Sequence, residues 1–495
     1  MLTLIKNVAV IDGTGRGVES NDVILRGDRI LSLGRFTRFR ADHIIDGRGA
    51  YLAPGFIDTS TTIDRFLCLL RNPEQSWLLR QGVTTAIGGQ CGISLAPTYH
   101  NSLGLIREKN SISHNIDWLD FKDFFPTLGK RRFGINFGTL AGHLTMRHAI
   151  TPDDLRDLTA SELGVLSRCG RDALRDGAIG FSFGTGYSTL HPLPSRELRS
   201  LCEIAGSAGA PVSLHMPRAP KGISIALRDA AKIAHETGTT VIANHLHLQK
   251  ESENEYREAL ESVAAYPDAS LFISTNFSSH RVISAIDLLP AWAREDPLRI
   301  ATEEHRAVIR QLENQPSRQK IVKELPRLYG GRIRIQVAPG CAQYEGMTLK
   351  QFGSANRCTY AQGLLLLITM TGGNAVVSLE EPVDQTIFTL TPSEKILITS
   401  HGADGNTGEA PFITYLGGAR TEDDLAARIY RITSLPARLM GLRRRGVIRK
   451  GFFADLVLFR DNTISDVFVG GARAVSEGIP QHLRAGGVLA RRGHR

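Results

Sequence analysis

The chain has 495 residues, of which 42% are hydrophobic, 22% charged and 49 glycine. That is too long for one small domain and too apolar for a disordered chain, and it carries neither collagen periodicity nor the cysteine density of a disulfide scaffold. Lysine and arginine number 59 against 50 acidic residues, a formal charge of +9. The excess is spread along the chain, however. Its densest cluster, Arg443, Arg444 and Arg445 with Arg449 and Lys450, has no interleaved aromatics. It reads as a solvated face, so no nucleic-acid partner is expected.

The six cysteines lie far apart with no Cys-x-x-Cys, which fits buried thiols in a reducing compartment. The first ten residues alternate polar and apolar side chains and lack the regions of a signal peptide. The longest apolar run, residues 364–370, is far short of the roughly 20 needed to span a bilayer. A cytoplasmic protein without a membrane partner is the expectation; a homo-oligomer stays open.

In chain order, residues 4–11, 22–26, 29–34 and 43–46 read as short strands separated by turns. The C-terminal stretch 446–459 has the same texture. Both ends thus read as parts of one small β-domain. Between them, eight short apolar runs alternate with helical patterns: 51–58, 83–88, 134–141, 178–183, 211–215, 240–245, 270–275 and 395–400. Helices are expected at 197–208 and 222–237 among others. Alternating β and α with near-continuous apolar strands predicts a parallel sheet covered on both faces. Eight such units predict an α/β fold, a (β/α)8 TIM-like barrel. The gap from about 280 to 390 is too long for one crossover and predicts an insertion between strands 7 and 8. The expected division is 1–52 and 436–495 for a small β-sandwich domain built from both ends, and 53–435 for the barrel.

Active sites of such barrels lie at the C-terminal ends of the strands. There the chain places Gly89-Gln90-Cys91-Gly92 after strand 2, His215 at the end of strand 5, His245 and then His247 at strand 6, and Ser400-His-Gly-Ala-Asp404-Gly405 after strand 8. A lone histidine at a strand end is more often a hydrogen-bonded core residue. A lone cysteine is more often buried packing, and an aspartate beside glycines is more often a turn residue. One thiolate, two imidazoles and one carboxylate converging on one mouth instead suit a zinc ion with an open coordination position and a proton acceptor beside it.

Several segments carry a family resemblance. They are Ala53-Pro-Gly-Phe-Ile-Asp58, Gly82-Val-Thr-Thr85, Gly89-Gln-Cys-Gly-Ile-Ser-Leu-Ala-Pro97, Gly177-Ala-Ile-Gly-Phe-Ser182 with Gly186-Tyr187, and Leu214-His-Met216. Thr433-Ser-Leu-Pro-Ala437 and Gly446-Val-Ile-Arg-Lys-Gly451 with Ala454-Asp455-Leu456 complete the set. Together they resemble the D-aminoacylase, or N-acyl-D-amino-acid deacylase, branch of the amidohydrolase superfamily, over essentially the whole chain. The resemblance implies a metal-dependent barrel with Cys91, His215 and His245 as zinc ligands and Asp404 as catalytic acid/base. It implies a small-molecule substrate contacted by Tyr187, with His247 standing where the family has a lysine. His143, in Gly142-His-Leu-Thr-Met-Arg147, falls in another family motif near the site and takes no definite role.

The chain also departs from the pattern. The family's His-x-His positions, which help to hold a second, weaker metal, are Ser60 and Thr62. Hydroxyls are poor neutral ligands for zinc, so one zinc per chain is expected. Asp64 reads as a helix-start charge in preference to a rescue ligand. The His-Pro-Arg whose arginine binds the substrate carboxylate has no counterpart in residues 406–418. The expectation is hydrolysis of a linear amide, an N-acyl-D-amino acid or related N-acyl amine. A barrel that has kept the fold and shed its chemistry, and an amidohydrolase for a metabolite without a free carboxylate, both stay open.

Overall fold

The computed structural model describes residues 1–61, 63–64, 68–99, 116–151, 156–184, 195–216, 220–246, 253–276, 280–293, 304–325, 331–380, 387, 390, 393–400 and 410–491. The two ends of the chain meet in one nine-stranded sheet. Leu2–Val10, Glu19–Arg26, Arg29–Gly34, His43–Asp46 and Tyr51–Pro54 come from the start, and Leu456–Arg460, Thr463–Val469, Ala472–Ser476 and Ile479–Pro480 from the end. The join is Tyr51–Pro54, parallel to Leu2–Val10 on one side and antiparallel to Leu456–Arg460 on the other. The sheet also folds back on itself: the amide of Ile30 donates to the Phe452 carbonyl at 2.9 Å and that of Gly451 to the Ile30 carbonyl at 2.8 Å. Ile5, Val23, Leu25, Leu52, Leu456 and Phe468 fill the space this encloses.

The expected strand at 51–58 therefore divides between two sheets. Gly55 stands at the break, where the pairing passes from Leu456–Arg460 to Val83–Gly88 and a Cβ would lie 2.1 Å from the Thr84 hydroxyl. Past it, Phe56–Asp58 opens the barrel. The remaining barrel strands are Val83–Gly88, Asn136–Thr139, Phe181–Phe183, Pro211–His215, Thr240–Asn244, Leu271–Asn276 and Ile396–Thr399. All recorded neighbours among them pair in parallel. Strands such as Val83–Gly88 and Pro211–His215 are buried at every position, as both faces of a covered parallel sheet require. Helices Ala160–Asp176, Ser195–Ala208, Pro220–Thr237 and Glu253–Val263 lie between successive strands. The first starts at a Thr159–Glu162 capping box, which satisfies the helix's first free amides.

Two seams interrupt the barrel's hydrogen-bond ladder. The third strand pairs with the second through Thr139, and the short continuation Ala141–Gly142 pairs with the fourth. Below that switch, the C-terminal tail fills the gap. Phe137 donates to Gly487 at 2.9 Å, Leu489 to Phe137 at 2.7 Å, and Arg491 to Gly177 at 2.8 Å. The second seam lies between the first and eighth strands, where the described residues form no ladder.

The insertion between strands 7 and 8 builds an antiparallel sheet in the order His280–Ser284, Val376–Glu380, Ile333–Val337. With it pack Glu304–Glu313, Gln315–Glu324, Leu349–Ala355 and Tyr360–Met370 around a separate core that includes Ile335, Phe352, Leu364 and Val377. Leu364, Leu365, Leu367 and Ile368 of the long apolar run lie on the buried face of Tyr360–Met370, while Met370 is exposed. Among the described residues no helix is long and apolar enough to cross a membrane. The basic cluster is exposed as expected except for Arg445, which pairs with Asp455 and lies 4.0 Å over the Phe453 ring.

Candidate metal centre

Cys91, His215 and His245 come together at the C-terminal mouth of the barrel. Each follows or ends a different strand, and their donor atoms all lie within 4.8 Å of one another. His215 Nδ1 and His245 Nε2 each stand 3.1 Å from the Cys91 sulfur, and the two imidazoles stack with centroids 4.4 Å apart. Zinc bonds of ~2.3 Å to sulfur and ~2.0–2.1 Å to nitrogen put tetrahedral ligands about 3.5 Å apart. One soft thiolate and two borderline nitrogens at these separations fit that ion. Among the described residues no other group of three could hold a metal.

The local backbone is bent to make this arrangement. Cys91 and His245 both have φ of +59°, a left-handed conformation that costs a residue with a Cβ on the order of 1–2 kcal/mol and clusters at functional sites. The turn that carries Cys91 is pinned at several points. The Gly89 amide donates to the Asp64 carboxylate at 2.6 Å, and the Gly92 amide to the Ser182 hydroxyl at 3.0 Å. The Thr145 amide donates to the Gly92 carbonyl at 3.1 Å.

Beneath the ligand set lies a buried web of neutral groups. The Gln90 amide donates to the Thr59 carbonyl at 2.7 Å, and its oxygen accepts from the Ser213 hydroxyl at 2.9 Å and from Asn244 at 3.1 Å. Asn244 also donates to the Ser60 hydroxyl at 2.7 Å and accepts from the His245 amide at 3.0 Å. One of the two hydroxyl residues at the family's histidine positions thus belongs to a web tying strands 1, 2, 5 and 6.

Asp64 corrects the helix-start reading. It is 2% exposed, and its carboxylate serves the Gly89 amide of the cysteine turn. Asp58, fully buried, accepts from the Ser60 amide at 3.1 Å, from the Ser400 amide at 3.3 Å and from the Ser400 hydroxyl. Burial pushes its carboxyl up to about 6, against the pull of those hydrogen bonds. His143 stacks on Phe183 with centroids 4.8 Å apart and meets the Glu197 carboxylate at 2.7 Å; Glu197 also accepts from Arg147. Burial alone would raise the Glu197 carboxyl, but His143 and Arg147 outweigh it and hold it below its usual range.

Asp404, Tyr187 and His247, with Thr62, lie outside the described residues. Gln90, Asn244, Asp58 and Glu197 were not singled out from the sequence as site residues. The available signal was a polar residue next to a candidate ligand, as at Gln90-Cys91 and Asn244-His245, or an acid ending an apolar strand, as at Asp58.

No family model matches the chain. An N-acyl-D-aspartate deacylase of Alcaligenes xylosoxydans xylosoxydans is 29% identical over 490 residues, covering 96% of this chain and 89% of that protein. A D-aminoacylase of the same organism is 27% identical, covering 99% and 97%. Among solved structures, an N-acyl-D-glutamate deacylase from Bordetella bronchiseptica, complexed with zinc and a phosphonate inhibitor, superposes with a TM-score of 0.75 at 22% identity, covering 99% of each chain. Along nearly its whole length the chain is similar in sequence to the N-acyl-D-aspartate deacylase and the D-aminoacylase, and it shares its fold with solved D-aminoacylases.

Proposed function

We propose that the chain is a zinc-dependent hydrolase of a linear amide, an N-acyl-D-amino acid or related N-acyl amine, releasing a carboxylate and an amine. The observation that carries this reading is the convergence of Cys91, His215 and His245 at the barrel mouth, in a chain that matches deacylases along nearly its whole length. These three residues would hold one zinc. Ser60 and Thr62, neutral hydroxyls where the resemblance has histidines, support a single ion. When bound, zinc supplies a Lewis acid that draws charge from the scissile carbonyl and makes hydroxide available near neutral pH.

Asp404, following strand 8, takes the proton of the attacking water and passes it to the leaving nitrogen. Tyr187 and His247, following strands 4 and 6, contact the substrate. No arginine occurs between 406 and 418, which favours as a second reading a substrate whose amine portion carries no free carboxylate.

Elemental mass spectrometry on protein purified without added metal, paired with hydrolysis of N-acyl-D-amino acids and N-acyl amines, tests both readings. About one zinc per chain is expected, absent from Cys91→Ala. Asp404→Asn should keep the zinc and lose about 10²–10⁴-fold in rate, the usual worth of a general acid/base. A folded wild-type protein without zinc, or full activity in Asp404→Asn, overturns the proposal. Preference for carboxylate-free amides would select the second reading.

A further inference from the structure

Asp58 ends the first barrel strand, and its carboxylate is turned away from solvent toward the eighth. Its main partner is Ser400, the residue just past Ile396–Thr399, through both the amide and the hydroxyl. This contact sits at the seam where the described residues form no strand ladder. A side-chain carboxylate there does what ladder bonds do elsewhere around the barrel. Ser400 also lies four residues before Asp404 in the sequence, so the contact holds the last described residue ahead of the proposed acid/base.

A buried carboxylate is an expensive way to close a seam, since a charge out of water costs several kcal/mol unless hydrogen bonds repay it. The geometry points to a specific duty: we propose that Asp58 is a positioning residue, a latch that joins strand 1 to strand 8 and holds Ser400, from which the chain continues in sequence to the proposed acid/base Asp404. The inference rests on the proposed hydrolase reading for its catalytic consequence, but the latch itself is readable without any substrate.

The experiment compares zinc-loaded wild type, Asp58→Asn, Ser400→Ala and Ser400→Thr by amide hydrogen exchange, metal content and steady-state kinetics on the amide the wild type hydrolyses best. Exchange of the 396–400 segment should rise about tenfold or more in Asp58→Asn and less in Ser400→Ala, while 211–215 stays protected. Ser400→Thr, which keeps both donors, should behave as wild type. Zinc should remain one per chain in all four. In the kinetics, kcat should fall at least tenfold in Asp58→Asn with KM within about twofold. Unchanged exchange at 396–400 in Asp58→Asn overturns the latch, as does a kcat loss that merely tracks zinc loss. Should Asp58→Asn not fold, the Ser400 pair decides: equal exchange in Ser400→Ala and wild type overturns it. If wild type hydrolyses no amide while the exchange pattern appears as stated, the hydrolase reading fails and the latch stands as a structural one.

Discussion

Asp58 illustrates how one residue sets a pH dependence. In the unfolded chain its carboxyl titrates near ~3.9, whereas burial raises it to about 6 in the fold. Between those values the folded state holds the proton more tightly, so folding is favoured in acid. That contribution is complete below about pH 4 and is lost as pH rises through 6. Two pH units of difference amount to about 3 kcal/mol. Denaturant unfolding of wild type and Asp58→Asn at pH 4.5 and pH 7 should show the wild type losing ground relative to the variant at the higher pH. A difference that does not change with pH would contradict this. Burial pushes the Cys202 thiol up to about 12, where it remains a packed, protonated thiol.

At the scale of the element, the turn Gly89–Gly92 is where local propensity yields to the site. Gly89 has φ +71°, and a Cβ there would meet the Leu140 carbonyl oxygen at 2.1 Å. Gly89→Ala therefore combines a left-handed strain of ~1–2 kcal/mol with a backbone clash on the strand that must lie beside it. It should displace Cys91 from the two histidines. The expected outcome is a folded barrel by circular dichroism with zinc content well below one per chain. Stoichiometric zinc in Gly89→Ala would show that the turn tolerates the shift. The helices and strands flanking this turn were legible from periodicity, because apolar runs and capping residues act over a few neighbours. The turn's anchors were not, since Asp64, Ser182 and Thr145 reach it from a turn, a strand and a helix elsewhere in the barrel.

For the whole molecule, the C-terminal tail is a structural member of the barrel. Residues 487–491 bond to the starts of the third and fourth strands, and Gly486 packs so closely on Ile135 that a Cβ would stand 2.0 Å from its carbonyl oxygen. The tail occupies the ends of the strands opposite the cysteine and histidines. Truncation after Leu483 should therefore lower the melting temperature by several degrees, since ~1 kcal/mol is worth a few degrees in a large domain. It should leave zinc content at the wild-type value. Loss of zinc with the tail would show that the two ends of the barrel are coupled.

The sequence by itself determined the alternation of eight apolar strands with helices, the β-strands at both chain ends, and the three candidate ligands at strand ends. Each is a matter of local pattern: burial on both faces, turn chemistry, and residue type at a strand's last position. Tertiary structure decided what depends on distant neighbours. It split the first expected strand at Gly55, where its pairing partner changes from Leu456–Arg460 to Val83–Gly88. It assigned Asp64 to the Gly89 amide and Asp58 to Ser400, and it inserted the tail between two barrel strands. A carboxylate at a strand end can be a ligand, a cap, a base or a latch, and only the groups packed against it, drawn from hundreds of residues away, select among these.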